Sequence, residues 1–181
     1  MAKTESFNRM QKGEKAPAFS LPGTDGQMHS LSDQKGEGLL IIFMCNHCPY
    51  VKGRMKEIVA LHKEFGDRIA FLGINSSDPE YPGEGMELMK SFATDYGMEF
   101  PYLLDEDGAV GKAYGATCTP DPFLFDAKHE LVFHGRITDA LEPSDEVKER
   151  TMQGVTQKLL KGEPIEPWFN PSLGCSIKFK A

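Results

Sequence analysis

No apolar run in the sequence is long enough for a bilayer. The longest, Leu39 to Cys45, falls far short of the ~20 residues that a membrane-spanning helix needs, so no membrane partner is expected. The N-terminus, MAKTESFNRM, lacks the apolar stretch of a signal peptide, and the expected compartment is the cytoplasm. Basic residues are outnumbered, 20 against 27 acidic, and a net charge of −7 leaves no footprint for nucleic acid. Tryptophan occurs once and cysteine four times, at Cys45, Cys48, Cys118 and Cys175. So few cysteines in 181 residues exclude a disulfide scaffold, because a chain of this size is held by its own core. The remaining composition, 40% hydrophobic and 26% charged, fits one packed domain.

Hydrophobic patterning assigns most of the chain. Residues 1–14 form a polar lead-in, irregular or helical, and Lys15 to Leu21 alternates as a short exposed strand does. Leu39 to Met44 is continuously apolar and reads as a strand buried on both faces. One helix is expected to follow from about Cys45–Pro49, with Val51, Met55, Ile58, Val59, His62 and Phe65 at helical spacing. Further strands are expected at Ile69–Ile74 and Phe100–Leu104, with a helix marked by Met86, Met89, Phe92 and Tyr96 between them. Pro122–Asp126 and Glu130–His134 read as a hairpin, and a last helix is expected from an N-cap at Ser144 to Leu160. The expected architecture is α/β, a central mixed sheet flanked by helices over residues 15–161. A Pro-rich tail, 162–181, is expected as an appendage.

Cys45 and Cys48 form a Cys-x-x-Cys between a buried strand and a helix. The first turn of a helix has unpaired N–H groups and a partial positive charge, which stabilise a thiolate. Two-residue spacing lets the second sulfur attack a mixed disulfide formed by the first. The competing readings are half of a zinc site or a pair of buried thiols, but Cys118 and Cys175 lie too far apart in sequence to supply a second close pair. His47 either donates to the Cys45 thiolate or is a solvated loop residue.

At this point the sequence resembles a known superfamily. The order of strand, Cys-x-x-Cys at a helix start, βαβ unit, then Thr119-Pro120 entering a hairpin is similar to thioredoxin. The lead-in KAPAFSLPGTDG resembles the opening of peroxiredoxins of the alkyl hydroperoxide reductase and thiol-specific antioxidant type. The strings FMCNHCPYVK, YGATCTPDPFLFD, LVFHGRITD and GCSIKFK resemble the peroxiredoxin-like, redoxin branch, over about residues 10–181. The resemblance implies a thioredoxin-like fold with a peroxiredoxin-type N-terminal extension. It also implies Cys45 as exposed nucleophile, Cys48 as resolving partner, and a cis-proline at Pro120, preceded by Thr119, facing the pair. Two departures stand out. The strand before the Cys-x-x-Cys, Gly36-Glu37-Gly38-Leu39-Leu40, has no acidic residue where thioredoxins place a buried proton acceptor. In addition, Cys45 occupies the Thr position of the peroxiredoxin Thr-x-x-Cys pattern, which favours dithiol–disulfide exchange over peroxide reduction.

Three residues stay open. Cys118, two before Pro120, either looks toward the Cys-x-x-Cys or is a small buried thiol. Cys175 pairs with Cys118, serves as an extra resolving thiol, or is idle. Arg136 stabilises a thiolate or peroxide oxygen, or is a surface arginine. The expected function is thiol–disulfide exchange with a disulfide-containing protein or a small thiol or peroxide, reset by a separate reductant. A redox-active disulfide is expected to serve in place of any cofactor or metal. The alternatives are a thiol peroxidase and a non-enzymatic Cu(I) carrier using Cys45, His47 and Cys48.

Overall fold

A computed structural model describes residues 3–181. The first elements are strands β1 (Lys3–Glu5), β2 (Ser20–Pro22), β3 (Met28–Ser30) and β4 (Gly38–Phe43), followed by helices α1 (Pro49–Lys52) and α2 (Met55–Phe65). Next come β5 (Ala70–Asn75), α3 (Met86–Asp95), β6 (Tyr102–Leu104) and α4 (Ala109–Tyr114). The chain ends with β7 (Cys118–Thr119), β8 (Asp121–Asp126), β9 (Leu131–Gly135), α5 (Thr151–Lys161), β10 (Phe169–Asn170) and β11 (Leu173–Ser176).

The central sheet has the order β10-β9-β8-β4-β5-β6. Strands β4, β5 and β6 are mutually parallel, while β8 runs antiparallel to both β4 and β9. The apolar run therefore lies in the middle of a mixed sheet, and Leu39, Leu40, Ile41 and Ile42 are wholly buried. Full burial of each such side chain contributes about 1.5–3 kcal/mol. Because side chains alternate along a strand, Leu40, Ile42 and Met44 enter one core with Ile58, Phe65, Met89 and Met152. Leu39, Ile41 and Phe43 enter the other with Phe19, Tyr114, Phe123 and Phe125. No helix among the described residues is long and apolar enough to cross a membrane.

Four expectations change. The helix after the Cys-x-x-Cys is two helices, broken at Gly53 and Arg54. A Cβ at Gly53 would meet Pro143 at 3.1 Å, so the glycine admits the 138–143 loop. The buried Arg54 guanidinium holds that loop by the carbonyls of Ala140 and Glu142, at 2.9 and 2.6 Å. The last helix begins at Thr151 rather than near Ser144. The Asp139 carboxylate accepts the amides of Lys148 and Glu149, at 3.0 and 2.8 Å, and this side-chain capture holds the segment in a loop.

The lead-in contains β1, which pairs antiparallel with β11. The expected C-terminal appendage is woven into two sheets. Strand β10 extends the central sheet beside β9, and β11 lies between β1 and β7. Proline forbids a helix but tolerates short edge pairing, so the three prolines leave this path open. Trp168 packs on the second core, and its carbonyl accepts the His134 amide at 2.9 Å.

Candidate active site

Cys45 follows β4 at the carboxyl end of the sheet, and Cys48 is the N-cap of α1 with Pro49 in the first helical turn. Both are buried, at 1% and 0% exposure. They face the Thr119–Pro120 bond, which is cis. Cys45 Sγ lies 3.3 Å from Thr119 Oγ1 in a hydrogen bond. Cys48 Sγ lies 3.2 Å from the Thr119 carbonyl oxygen, to which it donates when protonated.

The two thiols diverge in acidity. Hydrogen bonding with Cys45 lowers the Cys48 thiol to about 5 despite burial, helped by Thr119, Cys175 and the Val51 amide of the first helical turn. The same bond, with burial and the nearby Glu84 carboxylate, pushes Cys45 well above the ordinary thiol range. Within the reduced pair Cys48 is thus shifted toward the thiolate and Cys45 toward the thiol.

Glu84 is the residue sequence reasoning missed. It lies in the loop after β5, and its side chain has no solvent exposure. It accepts the amides of Asn46 and His47, each at 3.0 Å, and the Asn75 side-chain amide at 2.6 Å. It also bonds His47 Nδ1, so His47 is neither a solvated loop residue nor, through this nitrogen, a donor to the Cys45 thiolate. The His47 ring packs on Tyr81, with centroids 4.8 Å apart. Asn46 in turn accepts from the Tyr102 hydroxyl at 2.9 Å. The flanking Gly83 and Gly85 have φ of +93° and +96°, a left-handed backbone that glycine adopts without strain. An acidic residue between two glycines, in a loop at the same sheet end as the Cys-x-x-Cys, was the available signal. Cys45, His47 and Glu84 each offer a ligand atom within 4.8 Å of the others, so they are the residues that could hold a metal.

The remaining candidates separate. Cys175 stands directly opposite Thr119 in the β7–β11 pairing, while Cys118 stands opposite Ser176. Directly opposed residues share a face and successive ones alternate, so Cys175 faces the Cys-x-x-Cys with Thr119 and Cys118 faces away. That overturns both the inward-looking Cys118 and a Cys118–Cys175 pair. Burial and the Asp121 carboxylate push the Cys118 thiol well up, as suits an inert buried thiol. Arg136 is spent elsewhere: its Nε donates to Thr151 Oγ1 at 3.2 Å and Nη2 lies 3.9 Å from Glu149, so it takes no part in stabilising the thiolate.

Comparison with known proteins places this geometry in a family. The family model described as AhpC/TSA family matches residues 12–134. The chain is 30% identical over 119 residues to the thioredoxin-like protein YneN of Bacillus subtilis, covering 66% of this chain and 68% of that protein. It is 30% identical over 131 residues to the thiol-disulfide oxidoreductase ResA of Geobacillus thermodenitrificans, covering 70% and 71%. A crystal structure of a conserved protein from Geobacillus kaustophilus superposes with a TM-score of 0.93 at 39% identity, over 99% of this chain and 97% of that one. The chain belongs to the AhpC/TSA family, in its thioredoxin-like, peroxiredoxin-like branch.

Proposed function

We propose that the chain is a thiol–disulfide oxidoreductase whose redox couple is Cys45 and Cys48. The observation that carries this reading is the pair of buried sulfurs at the start of α1, each hydrogen-bonded to Thr119 beside the cis Thr119–Pro120 bond. The thiolate is the nucleophile in exchange, so Cys48 attacks the substrate disulfide. A Cys48–substrate S–S bond forms, and the displaced sulfur leaves as a thiolate that takes a proton from water. Cys45 then gives up its proton, which the departing substrate sulfur takes, and attacks Cys48 Sγ. The Cys45–Cys48 bond forms, the second substrate sulfur leaves, and the substrate has gained two electrons. An external dithiol resets the pair. Relatives named thiol-disulfide oxidoreductase support this chemistry.

A second reading is favoured by the burial of both sulfurs, which admits a small oxidant more readily than a protein. The Cys48 thiolate would attack the O–O bond of a hydroperoxide, becoming a sulfenic acid and releasing an alcohol. Cys45 would then condense with it to a disulfide and water.

Reduced wild type and Cys48→Ser, given insulin disulfides or a hydroperoxide with dithiothreitol as reductant, test both. Turnover by wild type through an intrachain Cys45–Cys48 bridge, abolished in Cys48→Ser, is the expected result. Retained turnover in Cys48→Ser overturns the assignment. Stoichiometric Cu(I) uptake by a protein that turns over neither substrate would make it a carrier instead.

A further inference from the structure

We propose that Cys175 is a second resolving thiol for Cys48, so that a substrate bound to Cys48 is released by either of two neighbouring sulfurs. This rests on the reading of Cys48 as the attacking thiolate.

The placement of Cys175 is built rather than incidental. It is buried, at 2% exposure, in the same cluster as Cys45 and Cys48. The β7–β11 register puts it across from Thr119, the residue that contacts both site sulfurs. Its neighbour Gly174 lies so close to the Thr119 carbonyl that a Cβ there would come within 1.9 Å of the oxygen. Ser172 donates to the Pro120 carbonyl at 2.7 Å, and its backbone exchanges bonds with Ser6 at 3.0 and 2.8 Å. These contacts strap β11 against the cis-proline corner, with Cys175 in the buried cluster that also holds Cys45 and Cys48.

The chemistry balances without a new reagent. Once Cys48 holds a substrate sulfur, the Cys175 thiol loses its proton and attacks Cys48 Sγ. The Cys48–substrate bond breaks, the Cys48–Cys175 bond forms, and the departing thiolate takes the proton. Burial and the Cys48 charge hold the Cys175 thiol up, and the Lys178 ammonium opposes them. The mixed disulfide removes the Cys48 charge, so Cys175 becomes more acidic at the stage when its thiolate is required.

The test uses the full chain. Reduced wild type, Cys45→Ser, Cys45→Ala and the double variant Cys45→Ser/Cys175→Ser are exposed to one equivalent of oxidised glutathione. They are then alkylated and mapped by non-reducing peptide mass spectrometry. The expected result is an intrachain Cys48–Cys175 bridge in both single variants, and loss of that bridge with glutathione retained on Cys48 in the double variant. Glutathione retained on Cys48 beside an alkylated Cys175 in the single variants overturns the proposal. If wild type forms Cys45–Cys48 in that case, the exchange reading survives alone. Wild type that forms only Cys48–Cys175 removes Cys45 from the couple and leaves the present inference standing.

Discussion

Replacing Glu84 with glutamine keeps its shape and removes its charge, which separates the two things this carboxylate does. One oxygen accepts the amides of Asn46 and His47 and the His47 ring nitrogen, and an amide oxygen can take over all three. The other oxygen accepts from Asn75 Nδ2 at 2.6 Å, and there the new –NH2 would meet a second donor. Asn75 cannot flip freely, because its Oδ1 already accepts the Ser77 amide at 3.0 Å. A buried donor left without an acceptor costs about 1–3 kcal/mol. At roughly 2–4 °C per kcal/mol for a domain of this size, the melting temperature of Glu84→Gln should fall by about 2–12 °C. The second effect is electrostatic. Glu84 helps hold the Cys45 thiol up, so the variant should titrate Cys45 at lower pH, read by carbon NMR of its Cβ. An unchanged melting temperature together with an unchanged Cys45 titration would refute the reasoning.

Other perturbations test the rest of the site. With Cys48 lowered to about 5, the reduced protein should show thiolate absorbance at neutral pH. Cys45→Ala removes the largest cause of that shift and should move the midpoint upward. Cys48 also contributes stability that is whole above the ordinary thiol value of 9.0 and is lost as pH falls through about 5. Cys45, Cys118 and Cys175 are raised, so their contribution is whole below 9.0 and is lost as pH rises through their folded values. Urea denaturation should therefore find the reduced form gaining on the oxidised form between pH 5 and pH 9 and losing ground above. Gly174→Ala should displace β11 from Thr119 and speed amide exchange at Ser172 and Ser6, where protection equal to wild type would contradict the strap.

The central strand and the Cys-x-x-Cys were legible because their signals are local: a continuous apolar run, two-residue spacing and a proline in the first helical turn. Glu84 was illegible because it acts across 37 residues on backbone amides, which carry no side-chain signature. Ser144 looked like an N-cap, but Asp139 had already claimed the amides of Lys148 and Glu149, and a competing side-chain bond leaves no mark in periodicity. The tail was misread for a related reason. Its prolines excluded a helix, whereas the pairing that places it depends on Gly174 fitting against a carbonyl in a distant strand. Register, rather than composition, decided between Cys118 and Cys175.

The small sheet β1-β11-β7 gathers strands from residues 3–5, 173–176 and 118–119, so nearly every contact in it closes a long loop. Contacts of high sequence separation form slowly because loop-closure entropy precedes any gain. The Cys45–Cys48 loop, by contrast, closes as soon as α1 starts. During refolding in an oxidising buffer the chain should therefore acquire its local bridge before Cys175 arrives. Competence at the first pair and access to the third thiol become two separate stages of folding, distinguishable by the order in which the sulfurs escape alkylation.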